Sequence, residues 1–214
     1  MELGRITRRA FCSLAPAVLA AAAGPVVVPV SLVMDSKAKL TPEVVRHFWS
    51  SLWPQAVQEF AAGGIRLECR NRTGEVLRPP GRPPVVSGLD PATLNVVLTG
   101  TIPMEWDSGR SLSGVTLRYR GRHLCMISLY RAHGHLIPLV SVNTCVHEIL
   151  HALMLDIFEQ NPQGVAGAGR EFRIDYLATR LWLFHDGADI RRSAETYVRK
   201  LRSDAAAWAT EPGY

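Results

Sequence analysis

The segment Cys145-Val146-His147-Glu148-Ile149-Leu150-His151-Ala152-Leu153-Met154-Leu155-Asp156 places two histidines and a glutamate in an otherwise apolar run. A run of this kind predicts a buried helix, in which an unpaired charge or imidazole costs free energy. A metal ion that binds both histidines would offset that cost. The segment therefore predicts a helix that carries a metal site.

The order of residues in the HExxH pattern fits a shared ion. His147 and His151 are four residues apart, about one helical turn, so both rings lie on one helix face. Glu148 is rotated about 100° around the axis, where it can approach a bound water without being a ligand. Imidazole is a favoured ligand of zinc, which binds tetrahedrally. We predict that the two histidines bind Zn²⁺ and that Glu148 is the catalytic general base.

A catalytic zinc site usually has three protein ligands and one water, so a third ligand is expected downstream. Asp156 is nine positions after His147, about half a revolution away from the histidine face. His185 lies at the far end of the next predicted helix. Glu171 and Asp175 are four residues apart, so they share one face of that helix, which is otherwise apolar. These two acids are therefore the better candidates.

This pattern resembles the gluzincin metallopeptidases, a group of zincins with HExxH on one helix, a Glu ligand about twenty residues later and an Asp one turn further on. Here Glu171 follows His151 by 20 positions and Asp175 follows by four more. The resemblance covers only about residues 143–182. It implies a zinc metallopeptidase in which Glu171 is the third ligand and Asp175 orients His147 by accepting its hydrogen bond.

The resemblance also implies a mechanism, in which zinc polarises the scissile carbonyl and Glu148 takes a proton from the attacking water. An oxyanion stabiliser is expected, with Tyr176, His185 and Tyr197 as open candidates. Two other interpretations stay open. One is a non-catalytic, zinc-stabilised exported binding protein whose site is closed by a fourth protein ligand such as Asp175. The other is an exported interaction domain in which the motif arose by chance.

The N-terminal segment is typical of an export signal. Arg8-Arg9 precede an Ala-rich apolar stretch, and Ala21-Ala22-Ala23 supply small residues for cleavage. The paired arginines resemble a twin-arginine signal, so the protein is expected in the periplasm or outside the cell. The alternative is an uncleaved membrane anchor, because apolar character resumes at Val26 and continues to Met34. In that case alone would the protein contact a membrane.

The composition indicates a folded protein that is not built for nucleic acid. Hydrophobic residues make up 47% of the 214 residues, and the net charge is +5. Three arginines and one glutamate fall in residues 1–23, which leaves only +3 for the remainder and no aromatic platform beside the arginines. The expected partner is a peptide or protein substrate. Three cysteines remain after the signal (Cys69, Cys125 and Cys145), and their pairing and the oligomeric state are left open.

Periodicity divides the chain into 1–23 as signal peptide, 24–40 as linker or first strand, and 41–214 as one metallopeptidase-like domain. The order of elements predicts an α+β, zincin-like fold, with an N-terminal helix, a small mostly antiparallel sheet, the HExxH helix and two further helices. By zincin architecture, a strand before the active helix, here 124–130, would pair with an extended peptide substrate. The predicted elements are a helix from Thr41 to Gly63, a strand at 65–69, a hairpin of 115–120 with 124–130, and helices near 141–160, 170–184 and 189–208.

Overall fold

A five-stranded sheet forms the centre of the protein in the computed structural model, which describes residues 24–78, 84–104, 107–119, 122–132, 136–138, 142–160 and 187–210. The helical elements are α1 (Pro42–His47), a π-helical turn (Phe48–Leu52), α2 (Trp53–Ala62), α3 (Val142–Gln160) and α4 (Gly187–Thr210). The strands are β1 (Val26–Asp35), β2 (Ile65–Gly74), β3 (Val76–Leu77), β4 (Val85–Val86), β5 (Leu94–Thr99), β6 (Ile102–Met104), β7 (Asp107–Leu112), β8 (Gly114–Tyr119), β9 (Arg122–Ser128), β10 (Tyr130–Ala132) and β11 (Leu136–Pro138).

The strand order is β2-β1-β5-β9-β8, and every neighbouring pair is parallel except β8 with β9. The prediction of an α+β, zincin-like domain with a mostly antiparallel sheet is therefore wrong, because the structure is an α/β arrangement. The physical reason lies in the connections. Helices α1 and α2 cross from β1 to β2, and a crossover of this kind joins parallel strands.

Strand β1 explains the apolar run that resembled a continuation of a membrane anchor. It pairs with β2 along its length and with β5 from Val30 to Met34, so it lies inside the sheet. A strand buried on both faces is apolar at almost every position. Pro29 lies one residue before the β5 pairing begins, so its missing N–H removes no bond from that ladder. Among the described residues, none of the helices combines the length and hydropathy needed to cross a bilayer.

The two faces of the sheet are covered differently. The helices pack on one face, against a core that includes Val28, Val96 and Ile127. The other face carries Val97 and Met126 and is covered by residues of the β3–β4 and β6–β7 pairs. Because successive residues of a strand point to opposite faces, neighbouring positions enter different cores.

The first helical segment is widened where Pro54 would otherwise break it. Proline has no N–H to bond back along the helix, and its ring needs room near the preceding turn. The structure accommodates it with the π-helical turn at Phe48–Leu52, directly before α2. Phe48 and Phe60 remain fully buried on the sheet. At the start of α1, the Thr41 N–H donates to the Tyr130 hydroxyl over 2.9 Å, which joins the helix to β10.

Candidate metal and catalytic site

Helix α3 carries the HExxH residues on the helical face of the sheet, where it packs against β8, β9 and α4. Its apolar side chains are buried almost all round, which explains why the helix forms and where it sits. His147 and His151 are half-buried, and Glu148 retains only 5% of its exposure. The buried apolar residues are Cys145, Val146, Ile149, Leu150, Ala152, Leu153 and Met154.

The two histidine rings meet at their Nε2 atoms, at a distance that also suits a hydrogen bond in which one ring donates to the other. The Nε2 atoms of His147 and His151 are 2.9 Å apart, and the ring centroids are 4.6 Å apart with the planes at 71°. Two nitrogens bound tetrahedrally to one zinc at about 2.0–2.1 Å would lie about 3.3 Å apart. The observed separation is a few tenths of an ångström shorter, so small ring rotations suffice to seat both on one ion. The pair therefore fits a shared metal.

Glu148 is tied to the sheet through both its side chain and its backbone. The Thr116 hydroxyl lies 2.7 Å from Glu148 Oε2 and 2.9 Å from the Glu148 carbonyl oxygen, and it shares its single proton between them. The Cys125 thiol donates to the same carbonyl over 3.2 Å. These contacts hold the carboxylate in one place, which a positioned base requires.

Gly114 makes room for the Glu148 side chain on β8. A Cβ atom at position 114 would lie 2.5 Å from Glu148 Oε1, 2.6 Å from Cγ and 2.8 Å from Cδ. The glutamate therefore fills the space that a side chain on the strand would take. The sequence interpretation missed both Gly114 and Thr116. Their spacing of two places them on one face of a strand, but nothing local indicates which helix that face meets.

Two buried thiols flank the glutamate and are held neutral. Burial raises the pKa of Cys145 to about 12, and the Glu148 charge adds to the effect. Burial also raises the pKa of Cys125, with the Thr116 hydroxyl opposing and the Glu148 charge adding to the rise. A thiolate is the form that attacks or binds metal, so neither residue is suited to those roles. Cys69, Cys125 and Cys145 are all free thiols.

Four of the predicted site residues are not among those that the structure describes. Glu171 and Asp175 lie outside the described residues, as do Tyr176 and His185. Within the described ranges no group of three or more His, Cys, Asp or Glu is arranged to hold a metal ion.

Another oxyanion candidate, Tyr197, is buried in α4 with its ring centroid 6.1 Å from that of His123. Its neighbour His123 belongs to β9, so the aromatic contact joins α4 to the sheet. This packing explains the burial of Tyr197.

The strand predicted to pair with substrate, 124–130, is not available for that pairing. It corresponds largely to β9, which is paired with β5 on one side and with β8 on the other. Its backbone N–H and C=O groups are therefore already engaged by β5 and β8. Among the described strands, β8 has a partner on one side only and forms the edge of the sheet beside α3.

In comparisons with known proteins, no family model, no curated protein and no solved structure matches this chain. The functional interpretation consequently depends on the contacts of α3, β8 and β9 themselves.

Proposed function

We propose that the protein is an exported zinc-dependent metallopeptidase that hydrolyses peptide bonds. The observation that supports this most directly is the 2.9 Å separation of His147 Nε2 and His151 Nε2. Glu148, the next residue after His147, has a carboxylate that is held by Thr116. Imidazole nitrogens that converge in a half-buried position are suited to zinc. The export part of the proposal comes from residues 1–23 and their resemblance to a twin-arginine signal.

In this proposal Glu148, Thr116 and Gly114 have separate roles. When bound, zinc supplies a Lewis acid and lowers the pKa of water to about 7. Glu148 accepts the proton of the attacking water on its carboxylate and transfers it to the leaving amine. Thr116, through its 2.7 Å hydrogen bond, keeps that carboxylate oriented, and Gly114 gives it space against β8.

The third ligand in this proposal is Glu171, with Asp175 accepting a hydrogen bond from His147. The support is their spacing, 20 and 24 positions after His151, and the four-residue step that puts both on one helix face. A carboxylate oxygen would complete the three-ligand set that leaves one coordination position for water.

The substrate would bind as an extended peptide along the open edge of β8. That edge presents backbone donors and acceptors, and an added strand would satisfy them. Gly114 and Thr116 on β8 contact Glu148, so a peptide paired with this strand would pass close to the base. Main-chain bonding of this kind explains binding without requiring a particular side chain.

One observation favours a non-catalytic zinc-stabilised binding protein as a second candidate. Glu148 is only 5% exposed and is hydrogen-bonded to Thr116, as a purely structural carboxylate would be. In that case zinc would join helices, and a fourth protein ligand would replace the water.

Metal analysis and peptide cleavage by the same preparation separate these functions. We expect about one zinc per chain, its loss in His147→Ala and His151→Ala, and cleavage of a mixed fluorogenic peptide library. Glu148→Gln should keep zinc and lower cleavage by at least ~10²-fold, whereas the exposed control Glu43→Gln should behave like the wild type. A zinc-loaded protein that cleaves nothing supports the binding protein, and a protein that binds no zinc refutes both.

A further inference from the structure

The edge of the sheet farthest from the candidate site is long, exposed and open. Strand β2 lies there, and among the described strands it pairs only with β1. All six residues from Glu68 to Thr73 are exposed. The Val26 N–H donates to the Gly64 carbonyl over 2.9 Å, so even-numbered residues of β2 direct their backbone groups to β1. Odd-numbered residues therefore direct theirs outward.

We propose that β2 pairs with β2 of a second copy, antiparallel about a two-fold axis at Cys69, so that two five-stranded sheets join into one. In this register Cys69 lies opposite Cys69 of the second copy, and Glu68 lies opposite Arg70. The odd-numbered residues form the hydrogen-bonded pairs, which matches the outward direction of their backbone groups. A two-fold axis makes the contact self-complementary, so it closes at a dimer.

Charge selects this register over its neighbours. An axis at Glu68 would set Glu68 against itself and Arg66 against Arg70. An axis at Arg70 would set Arg70 against itself and would place Glu68 opposite Arg72, which already has Asp90 as its acid. Like charges directly opposite destabilise a strand pair, whereas the axis at Cys69 gives two Glu68–Arg70 pairs. An axis at Leu67 also matches unlike charges, but it leaves the strand after Arg70 unpaired.

The remaining charges of the strand are compatible with the same pairing. Arg66 and Arg72 would face each other, but each already has an acid: Arg66 Nη2 lies 2.7 Å from Glu68 Oε1, and Arg72 Nη2 lies 3.4 Å from Asp90 Oδ2. Arg70 has no ion pair within the described part of the chain, so Glu68 of the second copy would be shared between Arg66 on its own strand and Arg70 opposite. Charged residues on an edge strand usually prevent open-ended pairing, and here their mixed signs permit one closed pairing.

Sedimentation velocity of the full mature chain over about 1–100 μM tests the dimer. The wild type should sediment as a dimer, and Glu68→Arg should raise the dissociation constant about tenfold or more because both pairs become repulsive. The exchange Glu68→Arg with Arg70→Glu should restore it. Glu43→Arg, which makes the same charge change at an exposed position on α1, should leave it unchanged.

Cys69 reports the register independently of affinity. Opposite residues of a hydrogen-bonded antiparallel pair have Cα atoms about 5.5 Å apart, within reach of a disulfide. Treatment with a copper–phenanthroline oxidant, which accepts the two electrons as the two thiols become a disulfide, should therefore give a covalent dimer that Cys69→Ser abolishes. A wild-type monomer at every concentration overturns the proposal, as does a dimer that is insensitive to Glu68→Arg and fails to crosslink through Cys69. A monomer that instead binds an extended peptide at β2 would also overturn it.

Discussion

Replacing Gly114 by alanine tests whether β8 positions the proposed general base. The added Cβ would lie 2.5–2.8 Å from three atoms of Glu148, closer than real contacts allow, so the glutamate must move. Overpacking of this kind costs about 1–3 kcal/mol. Alanine also removes backbone freedom from the unfolded chain, which stabilises by about 0.4–1 kcal/mol. We expect the free energy of unfolding to fall by about 1–2 kcal/mol.

Urea unfolding followed by tryptophan fluorescence and circular dichroism measures this change. Gly100→Ala is the matched control, because its Cβ would meet only the Ala38 Cβ at an ordinary 3.7 Å. The decisive comparison is a double-mutant cycle with Glu148→Ala. Once the glutamate side chain is removed, Gly114→Ala should cost almost nothing, which gives a coupling energy of about 1–2 kcal/mol.

Equal stability of Gly114→Ala and Gly100→Ala would contradict this prediction. So would a loss in the free energy of unfolding from Gly114→Ala that is the same with and without the Glu148 side chain. Either result would mean that the carboxylate does not occupy the space above β8. Zinc binding, as proposed, gives a second readout. Gly114→Ala should bind as much zinc as the wild type, since a displaced glutamate leaves the two histidines in place.

Three further predictions concern buried polar groups. Thr116→Val should lower the free energy of unfolding by about 1–3 kcal/mol, because the buried Glu148 carboxylate loses a donor, and Thr116→Ser should recover most of it in urea unfolding. Stability should fall above about pH 9 by about 1.4 kcal/mol per pH unit for each thiol, since Cys125 and Cys145 stay protonated in the folded state but ionise when unfolded. Alanine at both positions should flatten that slope, and a steep slope in that variant would contradict the assignment. Asp35→Ala should cost about 2–3 kcal/mol, because three donors converge on this buried carboxylate, and Asp35→Asn should cost less; equal losses would argue against the hydrogen bonds.

Local patterns predicted the elements well where a single periodicity decides them. The HExxH helix was expected near 141–160 and is Val142–Gln160, and the last helix was expected near 189–208 and is Gly187–Thr210. The hairpin of β8 and β9 was also predicted, and the structure places Tyr119 opposite Arg122 at its end. Each of these depends on contacts between residues that are near in sequence.

Strand direction could not be obtained in the same way. Whether β1, β2, β5 and β9 are parallel depends on how long connections cross the sheet, and that information is not local. The run at Val26–Asp35 was ambiguous for a related reason, since a strand buried on both faces lacks the alternation that identifies a half-buried one.

The candidate site was likewise predictable from sequence only where its residues are close in the chain. The four-residue step in HExxH fixes the approach of the two histidines, so it follows from sequence. The partners of Glu148 are 32 residues away at Thr116, and only the packing of α3 on the sheet brings them together. A glycine that a distant side chain requires cannot be identified from the residues next to it in the sequence.

The inner position of β1 also affects how the chain matures. Among the described strands β1 is synthesised first, yet it becomes shielded on both sides only after β5, which ends at Thr99, has been synthesised. Until then its valines stay uncovered. If residues 1–23 direct export of a folded chain, as proposed, chaperones would have to cover β1 while residues 36–99 are added, which would couple the timing of synthesis to that of export.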